Sequence, residues 1–252
     1  MSEAVLTAIE AGVLTITLNR PDKRNAMDMT TVDGLRVAIT DANVNAEVNV
    51  IAIRGSGKDF CAGADLKELL DSVDESLAEH EANARKLGNV FVSIRQLPKP
   101  VVAVVHGRAL AGGCGLANAC DMVLAHDDAE FGYPEVRRGF VPAMVMAMLV
   151  RSVGEKVAFD LVATGRILSA DQAAAVGLVS RVFTGAEFDG KVGETLAKLS
   201  KASGSALALI KQQLYGLDGL SFEDAIALGA QVNAVARSTP DFKEAFSRFL
   251  EK

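Results

Sequence analysis

Phe60-Cys61-Ala62-Gly63-Ala64-Asp65-Leu66 and His106-Gly107-Arg108-Ala109-Leu110-Ala111-Gly112-Gly113-Cys114-Gly115-Leu116 are the two stretches on which the fold of this chain turns. Each follows an apolar, β-branched run, Val50-Ile51-Ala52-Ile53 in the first case and Val101-Val102-Ala103-Val104-Val105 in the second, and each leads into a helix-compatible stretch. Both therefore read as strand-to-helix turns at a sheet edge. The first N–H groups of a helix have no partner within it and bind anions. At Gly112-Gly113 the missing side chains allow a carbonyl ligand to approach the backbone, and the positive end of a helix over Gly112 to Ala119 would add to the same spot. Two such segments in one chain suggest a pair of backbone donors aimed at one developing negative oxygen.

Outward from these turns the chain alternates strands with helices. Val5–Ile9 and Val13–Leu18 read as a hairpin, and Asn19 to Met27 as a loop before a helix near Thr30–Thr40. A strand covers Val48–Arg54. Asp74–Leu97 is helical, stopped by Pro98 and Pro100, and a strand follows over Val101–Val105. After the second turn come a helix and a strand near Met122–Ala125. Helices then fit Glu155–Thr164, Ala170–Val176, Phe188–Leu199, Ala206–Leu214, Phe222–Arg237 and Asp241–Leu250. Strands separated by helices indicate largely parallel pairing with right-handed crossovers, followed by an all-helical last quarter. No internal repeat and no Gly/Ser-rich linker separates the two parts.

Half of the 252 residues are hydrophobic, enough for a sizeable core. A formal charge of −6 without a Lys/Arg-rich block argues against a nucleic-acid or anionic-membrane surface. The N-terminus lacks the features of a signal peptide and no apolar run reaches membrane-span length, so a soluble, cytoplasmic protein is expected. Cys61, Cys114 and Cys120 form no Cys-x-x-Cys pair and read as small buried hydrophobes, and His80, His106 and His126 have no metal-like spacing; no metal is expected. Gly55-Ser56-Gly57-Lys58-Asp59 fails as a phosphate-binding loop, with Ala52 where its first glycine belongs and Asp59 where Ser/Thr is required.

Taken in order, Asn19-Arg20-Pro21 with Asn25-Ala26, Phe60-x-Ala62-Gly63-Ala64-Asp65-Leu66, Gly107-x-Ala109-x-x-Gly112-Gly113, Cys120-Asp121, Phe131-x-x-Pro134-Glu135 and Gly165-x-x-x-Ser169-Ala170 resemble the crotonase (enoyl-CoA hydratase/isomerase) superfamily over essentially the whole chain. The resemblance implies an α/β fold, a spiral of ββα units over residues 1–190, and a helical trimerisation region over 191–252. It also implies coenzyme A thioester substrates, no permanently bound cofactor, and a homotrimer or a hexamer built as a dimer of trimers. By position, the N–H groups of Ala64 and Gly112 would form the oxyanion hole and Glu135 would be the catalytic carboxylate. Lys23 or Arg24 would meet the phosphates of coenzyme A, and Asn25 and Ala26 would present backbone near the adenine. Ala62, Asp65 and Leu66 would line the groove, and Phe249 and Lys252 would reach the nucleotide of an adjoining subunit.

One position departs from the pattern. The best-known hydratases of the superfamily carry a second glutamate where this chain has Gly115. Hydration is divided between two carboxylates, whereas moving a double bond needs a single proton shuttle. A one-glutamate hydratase or an isomerase, in fatty-acid or branched or aromatic acyl-CoA metabolism, is the leading expectation. A catalytically weak acyl-CoA-binding or scaffold homologue is the alternative. A serine peptidase is disfavoured because no Ser occupies the second glycine segment, and RNA binding by the acidic balance. Other candidates are Asp65 and Asp121, as helix caps or site acids, Tyr133 as a hydroxyl in the acyl pocket, and Arg137 and Arg138 as solvated or inter-subunit charges.

Overall fold

A computed structural model describes residues 3–250. The elements run β1 (Val5–Glu10), β2 (Val13–Leu18), α1 (Met29–Val44), β3 (Val50–Gly55), α2 (Leu66–Asp71), α3 (Leu77–Gln96), β4 (Val101–Val105), β5 (Arg108–Leu110), α4 (Gly112–Ala119), β6 (Met122–His126), β7 (Glu130–Gly132), α5 (Met146–Thr164), β8 (Ile167–Ser169), α6 (Ala170–Ala175), β9 (Arg181–Phe183), α7 (Phe188–Ser200), α8 (Gly204–Gly216), α9 (Phe222–Ser238) and α10 (Pro240–Leu250).

Six strands form one sheet in the order β1-β2-β3-β4-β6-β9. Only the β1–β2 hairpin is antiparallel, and every later neighbour is parallel. A second, three-stranded sheet, β5-β7-β8, stands beside it. The strands β3 and β4 are apolar without interruption because both of their faces are covered. Ile51, Ile53, Val101, Ala103 and Val105 point into the main core with α1, α3 and α4, whereas Val50, Ala52, Val102, Val104 and Leu124 meet Phe188, Val192 and Leu196 of α7 on the other face. Burying a side chain such as Ile53 completely contributes about 1.5–3 kcal/mol relative to leaving it in water. Residue 190 lies within α7, which packs on this sheet.

The expected strands and helices are present, with three corrections. β5, β7, β8 and β9 were not expected; each has only three residues, too few for a period-two pattern to register. The helix expected from Glu155 begins at Met146 and is broken at Gly154, whose φ of 73° no helix interior adopts. Glu155 is thus the restart after a kink. The helix after the hairpin loop extends to Val44, capped at its start by the Asp28 side chain accepting from Thr31 N–H. Among the described residues no helix is long and apolar enough to cross a membrane, and no cluster of His, Cys, Asp or Glu is placed to hold a metal ion.

Candidate active site

The two glycine segments lie side by side. Phe60 N–H donates to His106 O (3.0 Å), Cys61 N–H to Arg108 O (2.9 Å), and Leu110 N–H to Cys61 O (3.0 Å). Gly113 shows why this approach needs glycine: a Cβ there would stand 2.2 Å from the carbonyl oxygen of Cys61. On its other edge the first segment is hydrogen-bonded to the Met27 backbone, with Met27 N–H donating to Gly63 O (2.7 Å) and Asp65 N–H donating to Met27 O (2.9 Å). Successive peptide groups in extended chain point to opposite sides, so Ala64 N–H, between these two bonds, faces away from Met27.

Gly112 opens α4 after Ala111, a non-glycine residue held at φ 52° and ψ −128°. That conformation is costly for a residue with a Cβ, of order 1–3 kcal/mol, and persists where surrounding structure fixes it. Here Ala111 N–H donates to Gly132 O (2.8 Å) and Ala111 O accepts from Gly115 N–H (3.0 Å). Neither Ala64 N–H nor Gly112 N–H has a hydrogen-bond partner among the described residues. The two segments converge: a Cβ on Gly112 would lie 4.0 Å from Ala64 N, 3.3 Å from Met27 Cε and 3.9 Å from Leu87 Cδ2. Two N–H groups without partners thus lie near one another beside the side chains of Met27 and Leu87, a donor pair of the kind that can bind an anion.

The bond from Ala111 to Gly132 also fixes the neighbouring carboxylate. β7 ends at Gly132, Tyr133 is fully buried, and Pro134 starts a single tight turn over Pro134–Arg138 that is closed by Gly139 in the left-handed conformation. Glu135 sits in that turn. Its Oε2 is buried and has no partner, and burial raises its pKa above the ordinary 4.5, opposed by its own N–H and by the Arg138 charge. Its proximity to the first turn of α4 registers on Cys114, whose thiol burial pushes up to about 12, with the Glu135 charge adding to the shift. The Tyr133 hydroxyl lies near Cys114 and Asn118, and burial raises its pKa, yet it has no partner in hydrogen-bond geometry. It is an enclosed group of the core rather than an open one in an acyl pocket.

Residues 8–252 match the family model described as enoyl-CoA hydratase/isomerase. The chain belongs to that family, within the crotonase superfamily. A Thermus thermophilus relative with a provisional enoyl-CoA hydratase name is 38% identical over 98% of this chain and 98% of its own length. The 2,3-dehydroadipyl-CoA hydratase of Escherichia coli is 34% identical over 100% of this chain and 97% of its length. The crystal structure of enoyl-CoA hydratase from Mycobacterium smegmatis superposes with a TM-score of 0.94 at 33% identity, covering 99% of this chain and 97% of that one.

Within this enoyl-CoA hydratase/isomerase fold, the other residues singled out in the sequence separate into open and engaged groups. Lys23 and Arg24 are exposed on the turn after β2, with Arg24 Nε 4.0 Å from Asp59 Oδ2. Arg24 lines a surface cavity with Lys58, Arg108, Asp59, Asp128 and Glu130, in which Arg108 pairs with Glu130 (3.0 Å). Asn25 is buried; its side chain accepts from Arg20 N–H (2.9 Å) and donates to Ser56 O (2.8 Å) and Asp59 O (2.7 Å), clamping two loops and leaving only backbone for a ligand. Ala26 O accepts from the Arg20 guanidinium, and Ala62 N–H donates to Arg24 O (3.0 Å).

Asp65 caps α2 by accepting from Lys67 N–H (3.0 Å) and pairs with Arg20 at 2.8 Å, which holds its carboxyl below the ordinary range. Leu66 is exposed at the start of α2. Phe249 lies in α10, and Lys252 is outside the described residues. Asp121 is neither the helix cap nor the site acid expected: it lies between α4 and β6 and accepts from Val101 N–H (2.7 Å), Lys211 Nζ (2.7 Å) and Tyr215 OH (2.8 Å) in a network joining α8 to the core. Sequence reading missed the apolar walls Met27 and Leu87. Met27 and Leu87 meet the turn at Gly112 from residues far away in the chain, and no local signal marks them.

Proposed function

We propose that the protein binds an acyl-CoA thioester, holds its carbonyl oxygen between the N–H groups of Ala64 and Gly112, and uses Glu135 to move a proton at the carbon chain. The observation that carries this reading is the pair of unpartnered N–H groups converging on one space, tied through Ala111 and Gly132 to the segment bearing Glu135. Loss of a proton from the α-carbon places negative charge on the thioester oxygen, and each donor aimed at it is worth about 3 kcal/mol of transition-state stabilisation. The raised pKa of Glu135 brings the group nearer to neutral pH, as a shuttle that must both take and return a proton requires.

Lys23 or Arg24 would face the phosphates of coenzyme A, with Asn25, Ala26, Ala62, Asp65 and Leu66 along the groove. Phe249 and Lys252 would serve the site of an adjoining subunit in a homotrimer or hexamer, in the cytoplasm. No permanently bound cofactor takes part.

The relatives' names point to hydration, and Gly115 points to migration of a double bond by a single carboxylate. The test sets hydration of a short 2-enoyl-CoA beside isomerisation of a 3-enoyl-CoA, with wild type and Glu135→Gln from parallel preparations. Glu135→Gln keeps size and hydrogen bonding but cannot accept a proton, so thioester binding is retained while turnover collapses. Undiminished turnover in that variant would assign the proton to another group.

A further inference from the structure

We propose that Val145 fills the space a side chain at position 115 would need, and thereby commits the site to moving the double bond of 3-enoyl-CoA thioesters rather than adding water. This inference rests on the functional reading above and names its substrate class. Gly115 and Gly112 are three residues apart on α4, so side-chain positions 112 and 115 are neighbours on one helix face, one turn in from the free Gly112 N–H. A Cβ on Gly115 would stand 2.1 Å from Val145 Cγ1, 3.0 Å from Val145 Cβ and 3.6 Å from Phe91 Cζ. Carbon atoms in contact prefer about 3.5–4.0 Å, so even alanine is excluded without movement of Val145.

Val145 cannot yield cheaply. It is β-branched and stiff at χ1, it is 4% exposed, and it immediately precedes α5. The absent second carboxylate is therefore not an open gap waiting for water. Its place is taken by the side chains of Val145 and Phe91, both buried and apolar. A bound water needs about two to four polar partners, and this wall supplies none.

The chemistry left to a single carboxylate balances without water. Ionised Glu135 takes a proton from C2, the C–H electrons form a C1=C2 bond and the carbonyl π electrons move onto the thioester oxygen. C3=C4 stays in place until C4 is protonated, when C=O reforms and C1=C2 becomes C2=C3. The thioester oxygen carries the charge of the intermediate dienolate between Ala64 and Gly112. Glu135 then returns the proton to C4, giving the 2-enoyl thioester and restoring the carboxylate.

A combined melting and activity cycle tests this, with Gly115→Ala, Val145→Gly and their double variant, then Gly115→Glu and Gly115→Glu/Val145→Gly. Glycine to alanine inside a helix is ordinarily stabilising. Here Gly115→Ala is expected to lower the melting temperature by several degrees, and the same change in the Val145→Gly background to cost nothing. Wild type is expected to isomerise a 3-enoyl-CoA at least tenfold faster than it hydrates a 2-enoyl-CoA, and only Gly115→Glu/Val145→Gly to raise the hydration-to-isomerisation ratio, by at least tenfold. A Gly115→Ala variant as stable as wild type, or Gly115→Glu alone gaining hydration, overturns the role of Val145. Wild type that hydrates as fast as it isomerises overturns this inference and leaves the enolate reading standing. Wild type inactive on both thioesters defeats both, while the melting cycle still decides whether Val145 excludes a side chain.

Discussion

Glu135 is held where ionisation is costly, since burial disfavours its charge and one of its oxygens has no partner. A carboxyl whose folded pKa is raised favours the folded state most at low pH, below its unfolded value near 4.5, and loses that advantage as pH rises through the folded pKa. Glu135→Gln is therefore expected to melt higher than wild type at neutral pH, with the gap closing as pH falls below 4.5; thermal melts at several pH values check it, and a gap that widens in acid would contradict the assigned cause. The same shift predicts turnover rising with pH through a midpoint above the ordinary glutamate range, because the shuttle must start ionised. At this scale the glycine spacing marked the two turns, and the resemblance to the family singled out the N–H groups of Ala64 and Gly112 within them. Asp121 looked like a candidate acid because nothing local shows that Lys211 and Tyr215, some ninety residues later, engage it.

Among the elements, α4 concentrates both the site and its supports. Proline is tolerated in the first position of a helix, where its missing N–H would have had no partner, so Gly112→Pro removes the donor at a position where the helix can survive. Turnover is expected to fall at least about a hundredfold, the scale of one lost donor to an anionic intermediate, in a variant shown to be folded by circular dichroism. At the other end of α4, Arg95 donates to Asn118 O (2.9 Å) and Ala119 O (3.1 Å) and stacks at 4.2 Å on Tyr215, which itself donates to Asp121. Lys211 completes this network, donating to Ile94 O (2.7 Å), Lys99 O (3.1 Å) and Asp121. Removing one member of a buried ion pair leaves the other charge uncompensated, so Lys211→Met is expected to cost about 3–5 kcal/mol, read as a lower urea midpoint with an unchanged slope. Long apolar strands and capped helices were legible in the sequence because each carries its own periodicity or punctuation. The three-residue strands of the second sheet were not, since their existence depends on partners distant in the chain.

At the scale of the whole molecule, the C-terminal helices are left unfinished by a single chain. α9 is seventeen residues long and none of them is buried, and the only buried residue of α8 is Lys211. Phe222 (77% exposed), Ile226 (61%), Ile210 (60%) and Leu214 (59%) lie open on these helices, beside a groove between α8 and α9 lined by Leu209, Leu228, Val232 and Val235. Contiguous apolar surface of this kind is uncommon on a monomer and marks a place where another surface belongs. Copies of one chain usually associate with closed symmetry, and the enoyl-CoA hydratase/isomerase resemblance favours a trimer or a pair of trimers. Light scattering at micromolar concentration is expected to return three or six times the 26.5 kDa chain mass. Ile226→Asp, which places a charge on the exposed face without touching the catalytic groups, is expected to shift the protein toward smaller species and to weaken acyl-CoA binding more than turnover, because the neighbouring chain's C-terminal residues would leave the nucleotide. A wild-type monomer with full activity at that concentration would sink both the assembly and the shared coenzyme A site, leaving Ala64, Gly112 and Glu135 as a site complete within one chain.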